Sequence, residues 1–444
     1  MMIKVGLVSL GCPKNLVDSE NMLGLISENN FTITPQPETA DVIIVNTCGF
    51  IESAKEESIQ TILQMATFKE TANCKKLIIA GCLGERYADE LLEEMPEVDA
   101  IMGSHAWHKV TEVINRTLNN ERFVYKLTEH VLYNQGPRLL TTPKHTAYLK
   151  IAEGCDNACS YCIIPFLRGR YKSRPMDSIV HEAKQLAAGG TKELILVAQD
   201  VTRYGEDFSG KLLLAELLQQ LAQIEEVKWI RIMYAYPQYI TDELIDTIAK
   251  EEKVCNYLDI PLQHASNNIL KSMHRRDSKE SITVLLEKLR KKIPDICIRT
   301  TFIVGFPSET QKDYEELKEF LLEQRFDRVG IFTYSQEEGT VAAKMPQIED
   351  EIKEERYHEL MALQAKISED INISLENREM MILVEGIEET DKETLVIGRS
   401  YREAPEIDGV VYLEKATNLQ AGMLVKCNIL QGFTYDLVAE PVNP

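Results

Sequence analysis

No stretch of this 444-residue chain approaches the roughly 18 uncharged apolar residues that a membrane helix needs, which excludes a helical membrane span. Positive charge is scarce: 49 Lys and Arg stand against 70 Asp and Glu, a formal charge of -21. That deficit argues against a partner held mainly through phosphate contacts, so a basic protein is the expected ligand and nucleic acid is not. Export is not expected either. The opening MMIKVGLVSLGC carries only a brief, glycine-interrupted apolar run, with Ser9 where a lipoprotein signal has Leu. The expected location is cytoplasmic. In such a chain 10 cysteines are expected as reduced thiols, so clustered ones read as metal ligands or catalysts rather than disulfides. No internal repeat or low-complexity tract is evident.

One hydrophobic core does not suffice at this length, and an apolar fraction of 44% predicts several folded domains. Residues 1–118 alternate short β-branched runs (IKVGLVSL, DVIIVNT, KLIIAG, VDAIMG) with helical stretches, the pattern of a doubly wound parallel sheet. Between the first two runs, Val17, Met22, Leu25 and Ile26 fall on one helical face, with Asp18 or Ser19 as cap. Residues 119–143 lose periodicity and hold Pro137, Pro143 and the turn signal Asn134 to Gly136, so they read as a linker. Over 144–375 six further strands alternate with helices, predicting a closed or partly closed β/α barrel of parallel strands; the charged helix over 350–375 is expected to leave it. Residues 376–444 turn to five short strand-like runs, a small antiparallel β-barrel with 13 acidic and 6 basic residues, net -7. The fold class is α/β with an all-β end.

Chemistry concentrates in the cysteines. EGCDNACSYCIIPFLRGR places Cys155, Cys159 and Cys162 at C-x3-C-x2-C spacing just after the first strand of the predicted barrel. Three thiolates on one loop can hold three irons of a 4Fe-4S cube and leave the fourth iron open. Zinc is the competing reading; it would want a fourth ligand near by, and the nearest downstream histidine, His181, falls in a predicted helix. With Tyr161 inside it, the segment resembles the cluster loop of radical S-adenosylmethionine enzymes. There the open iron chelates the cofactor, and an electron from the cluster cleaves its sulfonium to a 5'-deoxyadenosyl radical.

Cys12, Cys48 and Cys82 are scattered in sequence, yet each follows a predicted strand of the first domain, in SLGCPKN, VNTCGF and AGCLGE. Parallel strands would gather these turns at one carboxyl edge, where doubly wound folds build their sites. Neighbouring Gly11, Gly49 and Gly81 would let the backbone approach a second cluster closely. The alternative is that they are small buried hydrophobes, as free cysteines often are. That alternative is the reading for Cys74, which precedes its strand, and for the isolated Cys255, Cys297 and Cys427.

Together the three segments resemble the methylthiotransferase family of radical S-adenosylmethionine enzymes over essentially the whole chain. The resemblance is carried by SLGCPKNLVDSE, VAQDVTRYGED, DIPLQHASNNILKSMHRR, RTTFIVGFPSET and APEIDG. It implies an N-terminal cluster domain, a radical barrel and a C-terminal barrel of the TRAM type. The implied cofactors are two 4Fe-4S clusters, on Cys155, Cys159 and Cys162 and on Cys12, Cys48 and Cys82, with S-adenosyl-L-methionine. One cluster generates the radical, the other presents sulfur, and S-adenosylmethionine also gives the methyl group. Within the family the chain is similar to the enzymes that methylthiolate the β-carbon of an aspartate in the twelfth small-subunit ribosomal protein. An electron donor is then needed, and a monomer is expected. The acidic C-terminal barrel suits that basic substrate better than the alternative within the family, an adenosine of transfer RNA. A non-catalytic iron–sulfur electron carrier is the alternative from another class.

For the cofactor, the resemblance matches Gly189 and Gly190 with Glu193 to the region receiving the methionine amino group, although glycines ending a helix are commonly plain caps. Gly305 and Glu309 in IVGFPSET match a strand-to-helix turn near the adenine, with Pro307 as an ordinary turn former the competing reading. Gln199 and Asp200 end a barrel strand and read as site lining. The basic run Arg168, Arg170, Lys172 and Arg174 reads first as a solvated approach, second as an attractor of carboxylates. His264 and His274 read as structural.

Overall fold

The computed structural model describes residues 2–127, 137–389, 394–416 and 418–442; the turn signal Asn134 to Gly136 lies outside them. The first sheet is built from β1 (Lys4–Ser9), β2 (Thr32–Ile33), β3 (Val42–Thr47), β4 (Lys76–Gly81), β5 (Ala100–Met102) and β6 (Phe123–Tyr125). All pair in parallel, in the order β2-β1-β3-β4-β5-β6. Alternation along β3 explains why the sheet is covered on both faces. Val42 and Ile44 join Met22 and Ile26 in one core, while Ile43 and Val45 join Ile62 and Met65 in the other. The order reverses at β1, so a crevice opens at the carboxyl ends of β1 and β3.

Two details differ from the sequence reading. The segment expected as a linker carries β6, a short edge strand whose three residues are too few to show a period. The helix Pro13–Glu28 begins before the expected caps, with Pro13 in its first turn. Asp18 and Ser19 are therefore not caps. Ser19 hydroxyl donates to Ser9 and accepts from the Asn46 amide. Asp18 turns away from the sheet, as does Val17, which packs against Tyr148 and Val197 of the next domain.

The central domain contains β7 (Thr146–Lys150), a small antiparallel pair of β8 (Ala152–Glu153) and β9 (Lys172–Ser173), then β10 (Glu193–Val197), β11 (Trp229–Ile232), β12 (Val254–Asp259), β13 (Cys297–Val304) and β14 (Arg328–Thr333). Its six-stranded parallel sheet runs β14-β13-β12-β11-β10-β7, with β7 and β14 as edges, so the barrel is partly closed. The helix Asp350–Ile373 does not leave it. Leu360 and Ile367 are buried in the central core, and Gln364 donates to the Phe326 carbonyl. Its many exposed charges obscured a narrow apolar seam.

At the end of the chain β15 (Glu379–Glu389), β16 (Thr394–Arg399), β17 (Val411–Leu413), β18 (Leu424–Gly432) and β19 (Leu437–Pro441) close into a barrel, antiparallel except for the parallel pair β17–β19. Its connection 400–408 enters the amino-terminal end of the central barrel. Arg231 donates to the carbonyls of Tyr401 (2.6 Å) and Ser400 (3.4 Å), Tyr257 donates to Asp408 (2.7 Å), and Ala404 packs beside Tyr148, Ile195 and Cys297. Glu193, with no exposed surface, binds Arg231 at 2.7 Å and Arg399 at 2.6 Å and so fastens the two barrels.

Burial opposes ionisation of Glu193, but Arg399 and Arg231 outweigh it and hold its pKa at about 2, below the ordinary 4.5. A depressed carboxylate stabilises above its unfolded pKa and loses that contribution as pH falls through the folded value. Glu193→Gln is therefore expected to cost about 3 kcal/mol at neutral pH, read as a lower urea midpoint. The same contribution in the unsubstituted chain should vanish as pH falls from about 4.5 toward about 2.

Candidate active site between two cysteine triads

Cys12 follows β1, Cys48 follows β3 and Cys82 follows β4, so the three turns share the carboxyl edge at the crevice. Their approach is close. A Cβ at Gly11, where φ is +84°, would meet the Cys48 Cβ at 2.8 Å, and one at Gly49 would meet the Leu83 nitrogen at 2.9 Å. Only glycine permits both the left-handed turn and that contact. Cys12 stands at the amino end of the 16-residue helix Pro13–Glu28.

The second triad lies on the loop that β8 and β9 close at its base, where the Cys155 N–H donates to the Gly169 carbonyl at 3.1 Å. Further along, Ser160 donates to the carbonyls of Met273 (backbone, 3.0 Å) and Ser272 (side chain, 2.7 Å). His274 Nδ1 binds the Ala158 carbonyl at 3.2 Å, the structural role expected for it. His264 accepts from the Ser266 N–H through Nδ1 and therefore donates through Nε2 to Glu309, again a structural role. Tyr161 packs edge-on against Phe306.

The two triads face each other. Cys82 packs against Ile163 and Leu167, immediately beyond Cys162, and the Arg168 Nε donates to the Cys82 sulfur at 3.2 Å. Arg168 also binds Asp18 (2.8 Å), Asn15 (3.0 Å) and Glu153 (3.3 Å), and Lys150 binds Glu153 (2.8 Å) and Asp18. Here the reading of the basic run as a solvated approach fails. Arg168 and Arg174 are buried and ion-paired, while Arg170 and Lys172 between them are exposed. Burial pushes the Cys82 thiol up to about 12 even though Arg168 opposes it, and burial likewise raises Cys155 to about 11. Binding a cation would release those protons.

Among the described residues no three His, Cys, Asp or Glu side chains converge on a single metal-ion position. Each triad fits a larger group held by thiolates alone. The other four cysteines lie in apolar cores: Cys74 in the first domain, Cys255 and Cys297 in the central barrel and Cys427 in the last. All ten are free thiols.

Gln199 and Asp200 stand at the cluster-loop end of β10. Asp200 accepts from Asn157 at 3.1 Å, within the loop; Gln199 donates to Glu153 and leaves a buried Oε1 with no partner among the described residues. Gly305 and Glu309 follow β13 on that same edge, where the Glu309 carboxylate is engaged by His264, Arg356 and the Gly305 N–H. Gly189, Gly190 and Glu193 do not join them. Gly189 and Gly190 precede β10 and Glu193 begins it, at the opposite edge of the sheet, separated from the cysteine loop by the strand's length of about 16 Å. Gly189 caps the helix Met176–Ala188, and Glu193 is consumed by its two arginines. Lys150 and Glu153 escaped the sequence reading, which took Asp18 for a cap and Arg168 for part of a basic run. Their one signal was ionisable residues set among apolar ones in YLKIAEG.

A partly closed parallel barrel with a C-x3-C-x2-C loop at its carboxyl edge defines the radical S-adenosylmethionine class, and residues 149–321 match the model of the Radical SAM superfamily. Residues 4–103 match the Uncharacterized protein family UPF0004, and residues 378–442 match the TRAM domain. Fold similarity extends to the radical S-adenosylmethionine methyltransferase TsrM from Kitasatospora setae (TM-score 0.56, 12% identity, 75% of this chain and 73% of that one). The cobalamin-dependent radical enzyme OxsB is also similar (TM-score 0.54, 13% identity, 82% and 56%). Sequence similarity goes further. The ribosomal protein uS12 methylthiotransferase RimO of Desulforamulus reducens is 50% identical, covering 99% of both chains. The protein of that name from Clostridium botulinum is 53% identical over 98% of this chain and 97% of its own. The chain belongs to the family of ribosomal protein uS12 methylthiotransferases.

Removing one member of a buried ion network leaves its partners uncompensated, at about 3–5 kcal/mol. Arg168→Met is expected to destabilise the chain by that amount in urea unfolding. A change under about 1 kcal/mol would mean that the network does not hold the two domains together.

Proposed function

We propose that the protein methylthiolates the β-carbon of an aspartate in ribosomal protein uS12, with two 4Fe-4S clusters and S-adenosyl-L-methionine as cofactors. The single observation that carries this reading is the facing of two all-thiolate triads across a domain boundary, tied by Arg168. When bound, the cluster on Cys155, Cys159 and Cys162 supplies the electron that splits S-adenosylmethionine, and the one on Cys12, Cys48 and Cys82 supplies sulfur.

The chain's own groups do the positioning. Ser160 and His274 fix the radical loop, Asp200 orients it through Asn157, and Ile163 and Leu167 exclude water between the triads. Gln199 presents an unpaired carbonyl oxygen toward bound substrate or cofactor. Charge supports a basic protein substrate. Of the six basic residues in 376–444, Arg399 and Arg402 are buried against the central domain, and Lys415 and Lys426 are paired with Glu440 and Glu379. That leaves little to grip phosphates. A monomer in the cytoplasm, served by an external electron donor, completes the proposal.

Reconstituted Cys155→Ala enzyme is expected to release no 5'-deoxyadenosine, whereas Cys12→Ala should release it and leave uS12 unmodified in intact-protein mass spectrometry. Binding of transfer RNA at physiological salt in competition with uS12 would overturn the substrate, and no 5'-deoxyadenosine from the intact enzyme would favour an electron carrier.

A further inference from the structure

At the boundary between the triads one buried cation has no carboxylate partner. Lys150 and Arg168 are matched by Asp18 and Glu153. Asp259, beside the end of β11, is matched by Arg299 at 2.8 Å. Lys14 is the surplus. It lies two residues beyond Cys12, is only 8% exposed, and rests its ammonium 3.4 Å from the centroid of the Tyr234 ring, which follows β11. Among the described residues no carboxylate comes within ion-pairing distance of it, in a chain with 21 more acidic than basic residues.

A buried ammonium without a carboxylate is costly, and a cation–π contact recovers only part of the lost hydration. Lys14 is carried by the cysteine turn of the first domain yet reaches the carboxyl edge of the central barrel, where the reacting carbon must sit between radical and sulfur. The substrate group offered there bears a carboxylate one bond from its β-carbon. We infer that Lys14 is the anchor for the carboxylate of the substrate aspartate, holding its β-carbon between the triads and selecting aspartate over a neutral side chain. This inference rests on the substrate reading above. The other carboxylate available, that of S-adenosylmethionine, has the open iron of the radical cluster as its ligand, and the test separates the two.

The measurement is equilibrium binding of purified uS12, and of uS12 with the target aspartate changed to asparagine, to the oxidised, cluster-loaded full chain, in which no turnover occurs. The unsubstituted chain should prefer aspartate by about tenfold or more, the usual worth of a charge-assisted hydrogen bond. Lys14→Met should cut that preference to under about twofold, and Lys14→Arg should restore most of it. Binding of S-adenosylmethionine should be the same in all three. A tenfold preference surviving in Lys14→Met overturns the anchor, as does a loss of S-adenosylmethionine affinity in its place. Failure of the unsubstituted chain to bind either form of uS12 overturns the substrate reading itself. Circular dichroism and iron content of Lys14→Met, both expected to match the parent, show that the effect is local.

Discussion

Arg168 cannot be hydrated, cannot lose its charge, and has its whole guanidinium buried against Asp18, Glu153, Asn15 and the Cys82 sulfur. Those partners come from two domains that the chain builds separately, so the ion network is satisfied only when the domains are docked. Asp18 and Asn15 sit on the outward face of the helix Pro13–Glu28; Glu153 and Lys150 sit at the end of the first central strand. Docking by charge rather than by apolar area has a consequence for the site. An apolar interface tolerates sliding, whereas a guanidinium whose three nitrogens each bond a different fixed partner admits one geometry, and here it holds the Cys82 turn against the central domain.

A second set of buried charges does the same at the other end of the barrel. Connection 400–408 inserts into the amino-terminal mouth, where Arg231, Arg328 and Tyr257 receive it and Glu193 locks it through Arg399. The central sheet is left open between β7 and β14. The first domain closes it above with Leu16 and Val17, and the last closes it below with Ala404 and Tyr401. The C-terminal domain is thus a structural floor as well as a surface.

This arrangement changes how its charge should be read. A net of -7 over residues 376–444 is a fact of composition, yet some of the charges behind it are spent inside the molecule. Arg399, Arg402 and Glu403 are buried, and with the two arginines turned inward the exposed surface is depleted in basic groups. Because Glu403 and the Asp408 side chain are buried along with the two arginines, the outer face keeps the net of -7 while losing basic groups that could grip phosphate.

Sequence alone determined the local chemistry. The spacing of Cys155, Cys159 and Cys162 needs no tertiary structure, because all three sit on one short loop, and the period-2 and period-3.6 patterns set the parallel sheets and most of the helices. Position in a parallel sheet also made Cys12, Cys48 and Cys82 legible, since every strand of such a sheet points the same way. The same rule exposes the error over Gly189, Gly190 and Glu193: residues that precede or begin a strand lie at the edge away from the site, whatever motif they resemble. What only the tertiary structure decided is that Arg168 ties the Cys82 turn to the central domain, and that Lys14 meets Tyr234 and no carboxylate. Those facts depend on side chains from different domains, and a buried charge finds its partner through space, where sequence separation carries no information.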